Sequence, residues 1–314
     1  MTVLVTGVGV VLPGGGRLAD LGRTEAGSLE PVDPRSRINR RGLRYKDRAT
    51  QLAFCAAEEA LNDAGLYAPA AEAPVRAEIG IVVSSNFGNL DTVCRVTGTI
   101  GAEGTLAASP MDLPNASSNV IASSLAIRFG LAGANLMLCS GATSGLDALS
   151  WGRRLITAGR CRQVLVLGTE PDNETVREFT DTPRMLDGAV GVVLEDAGTA
   201  AARGAVPRLT LGTACRGGTL ADCVAVLAAH GAPARWYPPE AVTADVLDGL
   251  FPGATRVDLA QVWGASSGAL GVLQCAAAIG WFDGGGAGPV YAVTGGGRDS
   301  AAGHVFTAPP GVAR

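Results

Sequence analysis

Lysine and histidine are nearly missing from this chain of 314 residues: Lys46 is the one lysine, and His230 and His304 are the two histidines. A site that depends on paired imidazoles as general bases has little to draw on here. Aromatic side chains make up only 5% of the sequence. No apolar run approaches the ~18 residues of a membrane-spanning helix. The N-terminus enters a strand directly, without the basic flank and cleavage site of a secretory leader. The seven cysteines are odd in number, scattered, and form no Cys-x-x-Cys pair. Neither a zinc site nor a disulfide framework is expected, and the cytoplasm is the default location. A net charge of −4 argues against nucleic acid as a partner.

What the chain does have is bulk, with 47% hydrophobic residues and 44 glycines. That length permits one large or two medium domains around a substantial core. Its organising stretch runs from Asn135 to Pro171. A short apolar strand (Leu136, Met137, Leu138) breaks at a small-residue turn, Ser140-Gly141-Ala142-Thr143-Ser144-Gly145. A helix follows, with Leu146, Leu149, Arg153 and Ile156 at helical spacing and Gly159 as its stop; a second apolar strand spans Val164 to Leu167. A strand that turns tightly into a helix N-terminus is suited to presenting a nucleophile, because free backbone N–H groups and the helix dipole stabilise an anion there. Cys139 reads as a small buried core residue on the strand.

In chain order, Thr2 to Val11 reads as a buried strand. Its Gly7-Val8-Gly9 is too weak a pattern for a dinucleotide loop, since no acidic residue ends a second strand ~20 residues on. Between residues 33 and 50 lie seven basic side chains: Arg35, Arg37, Arg40, Arg41, Arg44, Lys46 and Arg48. They form either a solvated loop or a docking patch for an acidic partner. Gln51 to Gly65 is an amphipathic helix, and Glu78 to Ser84 a buried strand leading into a loop with Asn86, Phe87 and Gly88. Ser109 to Gly130 opens with a Pro-bounded turn and continues as a helix over Asn115 to Phe129. A polar loop follows Glu170 as far as Arg184, and Asp187 to Glu195 is again a strand. His230 ends a helix, Leu220 to Ala229, where a side chain able to carry positive charge favours the dipole.

The second half restates the first. Gly264-Ala265-Ser266-Ser267-Gly268 repeats Gly141-Ala142-Thr143-Ser144-Gly145, after an expected strand (Val257 to Val262) and before a helix (Ala269 to Ile279). Pro289 to Val293 then corresponds to Val164 to Leu167. A duplicated strand–turn–helix–strand unit predicts two similar halves about a pseudo-twofold axis, residues 1–205 and a shortened 206–314, in one compact α/β unit.

From Ala142 onward the chain resembles the β-ketoacyl synthases of the thiolase superfamily. Leu146, Ala148, Leu149, Gly159, Gly168 and Glu170 keep that family's spacing without a gap, and Asp196 to Gly204 resembles a further family segment. The resemblance implies a thiolase-like fold in αβαβα layers. It also implies that the nucleophilic cysteine falls on Ala142. The family's His-Gly-Thr-Gly-Thr motif does not occur. Alignment on Ser266-Ser267-Gly268-Ala269 places Gln261 and Val262 where the family has Gly-His, and Val257 where it has lysine. His304 matches a family histidine that is not catalytic. The glycine loop from Val293 to Arg298 lacks its phenylalanine, and Trp263 is read as filling substrate space.

Within the family, the pattern is similar to the chain length factor, the ketosynthase β-subunit of type II polyketide synthases, in the short form of polyene systems. That implies no catalytic residue and no cofactor. It implies a heterodimer with a catalytic ketosynthase α-subunit, which is served by an acyl carrier protein. Phe87, Met111, Asp112, Leu113 and Asn115 would then line the tunnel or the interface, and Arg40, Arg41 and Arg44 would meet the carrier protein. The alternatives are a reduced acyltransferase or decarboxylase using Ser140, Ser144 or Cys139, and a homodimeric acyl-binding scaffold.

Overall fold

The computed structural model describes residues 1–22, 25, 29–38, 43–67, 76, 78–240, 242–296 and 300–309. The strands are β1 (Val3–Val11), β2 (Ile79–Ser84), β3 (Asn135–Leu138), β4 (Gln163–Glu170), β5 (Gly188–Asp196), β6 (Leu209–Gly217), β7 (Arg235–Tyr237), β8 (Thr255–Arg256), β9 (Val290–Gly295) and β10 (Ala301–Thr307). The helices are α1 (Arg48–Asp63), α2 (Leu90–Glu103), α3 (Val120–Phe129), α4 (Ser144–Thr157), α5 (Glu174–Thr180), α6 (Ala197–Ala202), α7 (Leu220–Ala228), α8 (Ala244–Asp248), α9 (Leu259–Trp263) and α10 (Leu270–Asp283).

The strands order as β3-β2-β4-β5-β1-β6-β10-β9-β7-β8. Read outward from the antiparallel β1–β6 seam, the two halves repeat one another: β1, β5, β4, β2, β3 on one side and β6, β10, β9, β7, β8 on the other. Three apolar cores separate the layers. One lies under α1 and α3, one encloses α4 and α10, and one lies under α7. Residues Leu270 to Ile279 of α10 are buried without a break, as a helix covered on every side must be.

Local chemistry explains the outer layer. Asp47 caps α1 by accepting from Thr50 N at 2.7 Å. The alanines of α1 let it lie flat on β1. A Cβ on Gly7 would stand 2.4 Å from Ala60 O, and one on Gly9 would stand 2.2 Å from Ala56 O. Those two glycines serve helix–strand contact, with no part in a phosphate loop.

Several boundaries differ from the sequence expectations. Val257 to Val262 is not a strand: Asp258 accepts from Ala260 N and Gln261 N and so starts the short helix α9. The helix expected from Asn115 begins at Val120, because Leu113–Ala116 closes as a separate 3₁₀ turn around Pro114. Helix α5 stands where a loop was expected, and α2 occupies a stretch to which the sequence reading assigned no element. The repeat is also shifted. The 3₁₀ turns before the two central helices superimpose Gly141 on Ser267 and Gly145 on Gly271, three residues beyond the pairing that the sequence repeat suggests.

Candidate functional site

Two turns meet at the molecular centre: Gly141–Thr143 between β3 and α4, and Ser267–Ala269 between α9 and α10. Gly141 and Ser267 both adopt positive φ, 75° and 40°. For a serine that is a strained conformation. The Asn86 side chain joins the turns. Its Nδ2 donates to Gly141 O (3.0 Å) and Ser267 Oγ (2.8 Å), and its Oδ1 accepts from Gly141 N (3.3 Å) and Ser144 Oγ (3.2 Å).

Two carboxylates, buried Glu170 and half-buried Glu240, hold the backbone around them. Glu170, at the end of β4, accepts from Asn86 N (2.7 Å), Phe87 N (3.1 Å), Gly268 N (3.1 Å) and Ser85 Oγ (3.0 Å). Burial raises its pKa to about 7 against those donors. Glu240 accepts from Ser266 N (2.5 Å) and Ser267 N (3.0 Å), and burial raises its pKa too. Asp147, in the first turn of α4, accepts from Thr143 Oγ1 (2.8 Å) and Arg216 Nη1 (2.8 Å). The glycine loop closes the other side, where a Cβ on Gly295 would stand 2.9 Å from Thr143 Cγ2.

Beside the second turn lies a cavity of about 760 Å³, with Phe87, Arg184, Met185, Glu240, Gln261 and Ser267 in its wall. Ala142 is not part of that wall. Val257 and Val262 are buried in the middle core. Trp263 does not fill the cavity: its ring lies against Gly16, where an added Cβ would be 2.6 Å from Cη2. Phe87 meets Phe179 edge-on, with ring centroids 6.1 Å apart.

The remaining sequence candidates fall in two places. Met111 and Leu113 are exposed at 57% and 51%. Asp112 pairs with Arg95 at 2.5 Å, and buried Asn115 donates to Tyr45 O (2.8 Å) and Met111 O (3.1 Å). The bond to Tyr45 O sets the turn beside Arg44, whose guanidinium lies 5.4 Å from the Tyr45 ring centroid. Arg40 and Arg41 lie outside the described residues. Much of the basic stretch is structural: Arg37 pairs with Glu59, Arg48 with Asp187, and Lys46 donates to Ser124 Oγ.

Cys139 is exposed, contrary to the buried position expected for it. The reason is that β3 is an edge strand and the chain leaves the sheet there. Partial burial, then the Glu170 charge, push its thiol pKa up, away from the reactive thiolate. Ser140 Oγ and Ser144 Oγ lie 3.2 Å apart, and Ser140 Oγ reaches only the Asp147 carboxylate that Arg216 already neutralises. His304 is buried on β10 with Nε2 2.9 Å from Ser150 Oγ, and burial holds its pKa down at about 4. His230 is exposed just past the end of α7. No histidine therefore stands within hydrogen-bond reach of either serine. Among the described residues no group of three or more His, Cys, Asp or Glu side chains converges as a metal site.

Asn86, Glu240 and Ser267 went unassigned at the level of sequence. Asn86 follows a strand and Glu240 follows two prolines, and neither spacing carries a signal for a partner far along the chain.

A duplicated sheet whose two central helices each start at a tight turn is the thiolase-like fold. Residues 26–206, more than half of the chain, match the family described as "Beta-ketoacyl synthase, N-terminal domain". The chain belongs to the β-ketoacyl synthase family. It is 33% identical over 200 residues to the tetracenomycin polyketide synthase ketoacyl synthase alpha subunit of Streptomyces glaucescens, covering 54% of this chain and 45% of that protein. It is 27% identical over 145 residues to 3-oxoacyl-[acyl-carrier-protein] synthase 2 of Vibrio harveyi, covering 46% and 34%. These alignments span less than half the length of the curated relatives. Among solved structures, the ishigamide ketosynthase/chain length factor superimposes with a TM-score of 0.78 at 21% identity, over 98% of this chain and 99% of that one. A β-ketoacyl synthase from Burkholderia phymatum gives 0.80 at 18%, over the same shares. At those identities the likeness is one of fold. Among the described residues no helix is long and apolar enough to cross a membrane.

Proposed function

We propose that this chain is a non-catalytic chain length factor. It pairs with an active ketosynthase and shapes that partner's acyl tunnel. The observation that carries the reading is Ala142: a methyl group stands in the turn between β3 and α4, where the family presents its cysteine. Val262 and Val257, in place of the family's histidine and lysine, are core residues without acid–base chemistry. Each such group contributes a factor of about 10² to 10⁴ in rate, so their joint loss removes condensation. Residues 1–205 and 206–314 are the two halves of one unit in this reading. Met111 and Leu113 are exposed beside Asn115, so they are free to complete a partner's cavity, with Phe87 and Asp112 nearby in role. Arg44, with Arg40 and Arg41, is the proposed contact for acyl carrier protein.

Co-expression with an intact ketosynthase, followed by size-exclusion chromatography, should give a stable heterodimer. Leucine-to-tryptophan and methionine-to-phenylalanine changes at Leu113 and Met111 should shorten its product. Unchanged product lengths across that series would remove the tunnel role.

A second reading, an acyltransferase that uses Cys139, gains from the exposure of that thiol. Acyl label taken up from a thioester and lost in Cys139→Ala would favour it.

A further inference from the structure

The far end of α10 carries a cluster that the two turns do not use. Arg235 opens β7, and its guanidinium lies over the indole of Trp281, 4.1 Å from the ring centroid. Among the described residues no carboxylate pairs with it. Two donors here are buried without an acceptor: Arg235 Nε and Trp281 Nε1. Tyr237 follows two residues along the same strand and is fully buried. Burial raises its pKa to about 12, and the Arg235 charge and a side-chain hydrogen bond with Arg235 work in the opposite direction. Buried donors with nothing to bind are costly, and a neutral acceptor would leave the guanidinium charge uncompensated.

A cavity of about 320 Å³ opens at this point, lined by Ala19, Gly22, Arg235, Gly280, Trp281 and Gly284. Its walls lack side chains where the guanidinium is presented: a Cβ on Gly22 would stand only 3.5 Å from Arg235 Nη1. A cation fixed on an aromatic plane offers its remaining N–H groups in a fork, which matches the paired oxygens of a carboxylate or phosphate.

We propose that this cavity is a binding site for a small oxyanion, a carboxylate or a phosphate, held by the Arg235 guanidinium against Trp281. The site is separate from the two turns, since the helical rise between Ser267 and Trp281 is about 21 Å. It does not rest on the chain length reading, and either can fail without the other.

Trp281 is one of four tryptophans, so comparison with a Trp281→Phe variant isolates its fluorescence. The full-length chain is titrated with sodium phosphate and, separately, sodium acetate, with sodium chloride holding ionic strength constant. A saturable Trp281 signal and a raised thermal midpoint are expected with at least one anion, and which one responds names the source. Arg235→Gln should weaken that response about tenfold or more, while Arg235→Lys keeps part of it. Should Arg235→Gln fail to fold, Gly22→Val fills the cavity and leaves the guanidinium in place; it too should abolish the signal. A response that chloride reproduces, that persists in these variants, or that never saturates would overturn the site.

Discussion

Gly145 and Gly271 touch where α4 and α10 cross. A Cβ on Gly145 would stand 2.5 Å from Gly271 N, and one on Gly271 would stand 2.2 Å from Leu146 N. The contact is reciprocal, as a pseudo-twofold axis through the crossing requires. It brings the heads of both helices, and so both turns, side by side. Backbone on both sides leaves nothing flexible to yield. Gly271→Ala should therefore cost about 3 kcal/mol, an overpacking penalty at the top of the usual range, and Gly145→Ala a similar amount. Urea denaturation of the two variants measures it; a loss below about 0.5 kcal/mol would mean that the helices cross elsewhere.

Asn86 is expected to matter more for the joining of the turns than for the core. Its carboxamide makes four hydrogen bonds to Gly141, Ser144 and Ser267. Asn86→Ala should destabilise the chain by about 2 kcal/mol, since partly buried partners lose their bonds together. Asn86→Asp keeps an acceptor for Gly141 N and loses both donated bonds, so it should fall between. Hydrogen exchange at Gly141 and Ser267 should speed up in both variants while β4 stays protected.

Two buried groups give opposite pH dependences. Glu170 has a folded pKa near 7 against an ordinary 4.5, so the folded state holds an extra proton between those values. Its contribution to stability falls as pH rises from about 4.5 to about 7. His304 has a folded pKa near 4 against 6.5, so the unfolded state holds the extra proton. Its contribution is complete above about 6.5 and is lost as pH falls toward 4. The two slopes oppose each other between about pH 4.5 and 6.5. Relative to the parent, Glu170→Gln should make stability climb with pH there by about 1.4 kcal/mol per unit, and His304→Gln should make it fall by a similar amount. Denaturant midpoints from pH 4.5 to 7 decide it, and parallel curves for all three proteins would contradict both assignments.

Returning a thiol to the first turn should not return the reaction. In Ala142→Cys the new side chain has no imidazole among the described residues to take its proton, because His304 is buried against Ser150 and His230 follows α7. The variant should be alkylated by iodoacetamide at the rate of an ordinary thiol and should form no condensation product. Mass spectrometry reads both. A depressed thiol pKa would point to a base that the described residues do not contain.

The strands and long helices were legible in the sequence because their apolar spacing is local. Val3–Val11, Gln163–Glu170 and α4 fall within a few residues of where periodicity sets them. The repeated turn was legible too, yet its register was not. Gly141 and Gly264 both have positive φ, and small residues fill both motifs. The 3₁₀ turns before α4 and α10, the α9 cap at Asp258 and the Gly145–Gly271 contact reveal the three-residue offset. Cys139 was misjudged for a related reason: an apolar strand reads the same at a sheet edge as at its centre, and the edge is a property of topology. The site's polar frame was invisible for want of proximity, since Asn86 meets Ser267 only after the halves pack together, and Glu240 meets Ser266 only once the second half has folded.

The most direct measurement puts the purified chain, alone, with an acyl-loaded and a malonyl-loaded carrier protein and follows β-ketoacyl product by mass spectrometry. Without nucleophile, histidine pair or lysine, no product should form at any pH, while the same mixture with an added intact ketosynthase should produce it. Product from the chain by itself, surviving removal of contaminating synthase, would contradict the non-catalytic role outright.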